Sequence, residues 1–340
     1  MKNLSFIIAL YFFPLLAFSQ AGNDSLFDVQ PPLDMAITLS IKHVGASKDD
    51  TAYLAHTLYY TGPSGTKDSI HVGLKARGNF RLRECYFPPL WITMEKKHVK
   101  NTLFKGNKKI KLVLPCHNAN DNNELILKEY LCYKLYETIT PYSFKTRLVN
   151  VNLTELRKKN KTKSFNLKGI LVEDNGKAAT RLQAKTVKSN ISRDALHDTA
   201  ALRFDFFQFM IANTDWSAAY QHNSKLIYKN LNYIPLPYDF DMSGLVDAPY
   251  AVVSVVNGEQ LPIANVTERY YRGTCRSPET TEFVRKEFLS KKDQLLSIPD
   301  ILKGQLSDKE IRSLKNYLKE FFVILEDDNL FKSDIVERCQ

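Results

Sequence analysis

A chain of 340 residues, 44% of them hydrophobic, has ample apolar content for one large or two ordinary domains, and no internal repeat or low-complexity tract divides it. Its 47 Lys and Arg against 37 Asp and Glu give a formal charge of +10 at pH 7, an excess that favours anionic partners and reads as a solvated basic face rather than a nucleic-acid site. No CxxC or His/Cys spacing suggests zinc, and neither G-x-S-x-G nor H-E-x-x-H occurs, which excludes the common signatures of zinc sites, metalloproteases and serine hydrolases.

In chain order, Met1-Lys2-Asn3 comes first, followed by an almost wholly apolar run from Leu4 to Phe18, with the small residues Ala17 and Ser19 near its end. This is the pattern of a secretory signal peptide over residues 1–19, cleaved before Gln20 and too short to span a bilayer comfortably. The mature chain, residues 20–340, is therefore expected to be exported to the periplasm, the cell surface or the medium, with no transmembrane segment of its own. Five cysteines in an exported chain permit disulfides. Cys85 with Cys116 is the preferred pair, whereas Cys132, inside the helical pattern LKEYLCYKLY, is expected to pack as a small apolar residue.

Between Asp34 and Asp174 the pattern is of short strands. AITLSI alternates, DSIHVGLKARG ends at a glycine, and LWITM, KIKLVLP, TRLVNVNL and NLKGILVED are rich in branched residues and bounded by polar turns. One helix interrupts them, from about Asn123 to Thr138, with Leu127, Leu131 and Leu135 at helical spacing and Pro141 beyond its end. Residues 34–185 thus predict a sheet-rich lobe. Residues 186–340 predict a mainly helical one, beginning with a helix whose second half, through Phe204, Phe206, Phe207 and Phe209, is apolar on nearly every side and stops at Asn213-Thr214-Asp215. SKLIYK and YIPLPYDFD follow as a hairpin turning at Asn230-Leu231-Asn232, and Ser307 with Glu310 forms a capping box opening a late helix.

The second lobe presents an acid, an amide, a hairpin and an acid pair, in that order: Asp215, Asn223, then Asp239 and Asp241 around Phe240. Phosphotransfer sites use this order, with the first Asp orienting or deprotonating the acceptor hydroxyl while the Asn and the later acids bind magnesium ions that bridge the phosphates. Carboxylate and amide oxygens suit Mg²⁺, which needs only one or two protein carboxylates beside phosphate oxygens and water. From the first lobe, Arg77 and Arg81 flank the glycine of ARGNFR and offer guanidiniums to anionic oxygens. Lys109 and Lys111 share one face of KIKLVLP, with Lys111 the candidate phosphate lysine and Lys109 a solvated edge charge. Glu173 is a candidate partner for that lysine or for a metal, and Glu124 and Glu129 on the helix are alternatives. No glycine-rich phosphate loop of either common form is present.

These segments resemble the CotH kinases, atypical protein kinases named for a spore-coat component. The resemblance rests on KARGNFR, PPLWI, KIKLVLP, the helix after NDNNE, GILVED, NTDW with its downstream HN, and PYDFDMSG, in family order from about Leu74 to Gly244. It implies an α+β, kinase-like two-lobed fold and phosphorylation of protein side chains dependent on ATP and Mg²⁺ or Mn²⁺. Lys111 resembles the phosphate-contacting lysine, Asp215 the catalytic acid, Asn223 its metal-binding companion and Asp239 the metal-binding acid, supported by Asp241. The chain departs from the family where Trp216-Ser217-Ala218 replaces an expected histidine and where eight positions separate Asp215 from Asn223; His222 stands beside Asn223 instead. The implied partners are a nucleotide and an acceptor protein in the cell envelope. The alternative expectation is a catalytically inactive envelope-binding scaffold. A sugar-nucleotide transferase ranks below both, because the early alternation of strand and helix such chains carry is missing.

Overall fold

In the computed structural model of the chain, which describes residues 24–28, 31–46, 53–78, 80–118 and 122–340, seven strands between Leu33 and Glu173 close into a barrel. They are β1 (Leu33–Leu39), β2 (Leu54–Thr61), β3 (Lys67–Ala76), β4 (Leu90–Thr93), β5 (Lys109–Val113), β6 (Thr146–Leu156) and β7 (Thr162–Glu173). Neighbours run β1-β2-β3-β4-β5-β7-β6, and the seam is sealed where β6 lies parallel to β1, with Leu33 opposite Val149 and Leu39 opposite Glu155. The leader expected over residues 1–19 lies outside the described residues.

The two-residue period of a strand decides which side chains enter the barrel. Met35 and Ile37, Ile70 and Val72, Ile110 and Leu112, and Val149 and Val151 point inward into one apolar core. On the opposite face of β5, β6 and β7, Val113, Leu148, Ile170 and Val172 are also buried, because helix α2 (Asn122–Ile139) lies over them; α1 is the short helix Phe80–Glu84. Strands covered on both faces read in sequence as unbroken apolar runs, as GILV does.

The expected kinase-like two-lobed α+β fold with a sheet-rich N-terminal lobe is overturned by this closure. Two features escaped the sequence. The strand LAHTLYYT (β2) places His56 on the same parity as the buried Leu58 and Tyr60, which breaks the alternation that would mark it; its Nδ1 lies 3.1 Å from the Thr38 carbonyl of β1. The parallel β1–β6 pairing joins segments too distant in the chain for any local pattern to reveal. Moreover, α2 belongs less to the sheet than to a second core, which it shares with α3 (Asp198–Met210), α4 (Pro278–Ser290) and α5 (Asp308–Glu326).

Beyond the barrel, β8 (Lys185–Val187), β9 (Ser224–Lys229) and β10 (Asn232–Pro237) form a three-stranded sheet in the order β10-β9-β8. The β9–β10 hairpin turns through Asn230 and Leu231, both at positive φ (49° and 63°), as the tight primed turn requires. Its register sets Ser224 opposite Pro237. The capping box holds as expected: the Ser307 hydroxyl accepts from the Glu310 N–H at 3.1 Å. Cys85 pairs with Cys116, the expected bridge, and Cys275 pairs with Cys339. Cys132 is a buried free thiol on α2. Among the described residues no helix is long and apolar enough to cross a membrane.

Candidate functional site

The hairpin register places the site. Because Ser224 faces Pro237, the next residues outward are Asn223 and Tyr238, joined by the Tyr238 N–H donating to the Asn223 carbonyl at 3.0 Å. The open end of the hairpin thus delivers Asn223 and Asp239 side by side. Both hold left-handed backbone, φ 48° and 66°, a region that Asn and Asp tolerate better than most residues and in which functional side chains are often held.

Phe240 explains the acid pair. It is fully buried, edge-on to Tyr133 of α2 (4.8 Å between centroids) and to Phe207 of α3 (5.4 Å). With the ring anchored in the helical core, Asp239 and Asp241 border the same cleft. The Asp239 N–H donates to the Tyr133 hydroxyl at 3.1 Å, which fixes the turn. Gly244 is required just beyond: a Cβ there would stand 2.4 Å from the Val266 carbonyl and 2.6 Å from the Tyr317 hydroxyl.

Asp215 is positioned from the other side, by the end of α3. Asn213 accepts from the Asp215 N–H at 3.0 Å, Trp216 Nε1 donates to the Asn213 carbonyl at 3.0 Å, and buried Arg272 donates to the carbonyls of Thr214 and Trp216. The long spacing between Asp215 and Asn223 is taken up by a loop closed through paired backbone bonds between Ser217 and His222. That closure sets His222 Nε2 2.8 Å from Asp215 Oδ1, while Asn223 Nδ2 donates to Asp215 Oδ2 at 2.9 Å and to its carbonyl at 2.8 Å. Both of these side-chain bonds use Nδ2, so among the described residues the amide oxygen of Asn223 is left to meet a cation.

The barrel side supplies cations. Lys111, on the outward face of β5, is buried and donates to Asp239 Oδ1 at 3.0 Å. Arg81, on α1, is equally buried; its Nε donates to Asp241 Oδ2 at 2.8 Å and its Nη2 to Glu129 Oε2 of α2 at 3.1 Å. Among the described residues Arg81 Nη1 and Glu129 Oε1 are buried with no hydrogen-bond partner in range, and Tyr250 lies close enough to act on Arg81. Arg77 lies over the Trp91 ring, 4.6 Å from its centroid. Together with Asp215, Asn223 and the acid pair, Arg77, Arg81 and Lys111 line one cleft of about 390 Å³. A larger open groove of about 750 Å³ on the outer face of β2–β4 gathers His71 and His98 but none of these charges.

Burial sets the electrostatics. It would raise the Asp239 carboxyl, but Lys111, Arg81 and Arg77 outweigh it and hold Asp239 well below the usual carboxylate range. Asp241 is raised, because burial exceeds the opposing pull of Arg81, and Glu129 is pushed up to about 7 for the same reason. Burial lowers Lys111 despite Asp239, whereas Asp241 and Glu129 keep Arg81 well above its ordinary value against its own burial. His222 is raised by its bond to Asp215.

Six of the seven residues expected in the site meet there: Arg77, Lys111, Asp215, Asn223, Asp239 and Asp241. Glu173 does not. At the end of β7 it binds Arg181 through Nε at 3.1 Å and Nη2 at 2.8 Å, and accepts from the Lys145 N–H at 3.2 Å. Glu129 meets Arg81 rather than a lysine; an acid at a buried position of an apolar helix was the signal for it. Tyr133 and Tyr238, which frame Asp239, carried no such signal.

A metal fits this donor set in one way. Two carboxylates and an amide oxygen are the protein share that Mg²⁺ or Mn²⁺ takes when phosphate oxygens and water complete its shell. Among the described residues no group of three or more His, Cys, Asp or Glu is placed to hold a metal ion by itself. No family model matches the chain, and no curated protein matches it.

Proposed function

We propose that the cleft binds a metal–nucleotide complex and transfers its terminal phosphoryl group to a hydroxyl of a protein, the activity implied by the resemblance to CotH kinases. The observation that carries this reading is the convergence of Lys111, Asp215, Asn223, Asp239 and Asp241 on one cleft, with Asp239 held ionised by surrounding cations. Asp239, Asp241 and the Asn223 amide oxygen would hold Mg²⁺ or Mn²⁺, which when bound neutralises phosphate charge. Lys111 and Arg77, which line the cleft, would meet the phosphate oxygens. Asp215, oriented by His222 and Asn223, accepts the proton of the attacking hydroxyl as the new P–O bond forms and the bond to the nucleoside diphosphate breaks. The two disulfides and the leader-like N-terminus support an exported protein whose acceptor lies in the cell envelope.

Calorimetric titration with Mg²⁺- or Mn²⁺-ATP tests the reading. The wild-type chain is expected to bind, and folded Asp239→Asn to lose at least about 100-fold in affinity, since a charge-bearing ligand in a buried site is removed. Absence of binding to folded wild type overturns the proposal.

A further inference from the structure

The two acids of the DFD segment are each already bonded to a cation, and the two pairs are not equivalent. Arg81 holds Asp241 through Nε and a second carboxylate, Glu129, through Nη2. Among the described residues Lys111 touches one carboxylate, Asp239 at 3.0 Å, with the Tyr238 ring 5.0 Å from Nζ and Glu129 acting on it only at longer range. Lys111 is 3% exposed and Arg81 5%, so neither falls back on bulk water when its partner leaves. If Asp241 turns to another cation, Arg81 keeps Glu129. If Asp239 turns away, Lys111 loses the one carboxylate that touches it and keeps only the longer-range pull of Glu129 and Asp241, which a buried ammonium replaces poorly.

We infer that Lys111 is a stand-in cation for the metal, exchanged from Asp239 to the phosphates when they arrive, so that this ion pair couples metal and nucleotide binding to each other. The inference rests on the proposed function and adds its order of assembly. Asp239 moves from the ammonium to the metal, and the released ammonium finds a phosphate oxygen instead. Either ligand alone leaves one charge of the pair uncompensated; both together leave none. Coupling of this kind is reciprocal: each ligand tightens the other by the same factor, about 10- to 100-fold for couplings of ordinary size.

The test is Mn²⁺ binding followed by the paramagnetic resonance of free Mn²⁺, with and without a non-hydrolysable ATP analogue. In wild type, Mn²⁺ alone is expected to bind weakly and the analogue to tighten it. Lys111→Met removes the stand-in cation, so Mn²⁺ alone should bind about tenfold tighter than in wild type, while tightening by the analogue shrinks. Lys111→Arg keeps the charge and should leave Mn²⁺ alone as weak as in wild type. Lys111→Met binding Mn²⁺ no better than wild type overturns the inference, as does equal Mn²⁺ affinity in wild type with and without the analogue, a comparison that needs no variant to fold. Failure of the functional reading looks different: wild type then binds no nucleotide at all, whatever Mn²⁺ does in Lys111→Met.

Discussion

Strand β5 carries two kinds of burial on its two faces. Ile110 and Leu112 enter the barrel among other apolar side chains and are stabilised by leaving water. Lys111, between them, is buried almost as completely but points outward into a cleft where burial lowers its basicity and Asp239, in contact, with Glu129 farther off, offsets part of that. The barrel interior, like the helical core, contributes stability by burying apolar surface. The cleft is held against the cost of desolvation by a web of ion pairs in which, among the described residues, Glu129 Oε1 finds no hydrogen bond.

Arg81 carries the largest share of this ion-pair web. Arg81→Ala leaves Glu129 and Asp241 buried without their cation and should cost roughly 3–5 kcal/mol in chemical denaturation. Combining Arg81→Met with Glu129→Leu and Asp241→Asn should restore most of that stability while nucleotide binding stays lost, because apolar replacement of a buried ion network is close to neutral for folding. Full recovery of binding in the triple variant would contradict the functional role given to these charges. In the barrel, Leu112→Ala should cost roughly 2–5 kcal/mol by opening a cavity, yet the molecules that remain folded should bind nucleotide as wild type does.

Asp205 supplies a buried acid outside the cleft. It sits on α3, accepts the Thr274 N–H at 3.3 Å, and burial pushes it up to about 7 from 3.8. An acid raised by folding favours the native state while protonated, so its contribution is complete below about pH 4 and is lost as pH rises through about 7. Asp205→Asn should therefore gain stability relative to wild type by roughly 1–4 kcal/mol on going from pH 4 to pH 8, measured as the difference between their denaturation midpoints across that range. A difference that does not change with pH would remove Asp205 from this account.

The smallest expected effect separates the disulfides. Cys85 follows α1, whose Arg81 holds Asp241, and Cys116 follows β5, which carries Lys111, so this bridge ties the two cationic arms together. Cys85→Ala with Cys116→Ala should weaken nucleotide binding about 5- to 10-fold, roughly 1 kcal/mol, whereas Cys275→Ala with Cys339→Ala should leave the affinity of the folded protein unchanged. Equal losses in the two double variants would show that the first bridge has no special connection to the site.

What the sequence made legible follows the range of the interactions. The alternation of Lys109 and Lys111 against Ile110 and Leu112, the helix over α2, the hairpin turn at Asn230-Leu231 and the Cys85–Cys116 pair are local or compositional features, and each is present. Barrel closure was hidden because His56 masks β2 and because β1 meets β6 across most of the barrel's length of chain. Among the site residues, Asp215, Asn223, Asp239 and Asp241 could be named from their order. Their partners were less readable: Arg81 and Asp241 are 160 residues apart, and Glu173 is drawn out of the site by Arg181, on a short helix that no sequence pattern had marked.

Phosphoryl transfer, as proposed for the cleft, goes a step beyond holding a nucleotide. The most direct measurement incubates the wild-type chain and Asp215→Asn with Mn²⁺-ATP and a mixture of cell-envelope proteins, and quantifies protein-bound phosphate by mass spectrometry. The account predicts phosphorylated hydroxyl side chains with wild type and at least about 100-fold fewer with Asp215→Asn, which should still bind nucleotide, as expected when a residue acting in proton transfer is removed. Nucleotide binding by both proteins with no phosphate transferred by either would contradict it and leave the cleft as a binding site without turnover.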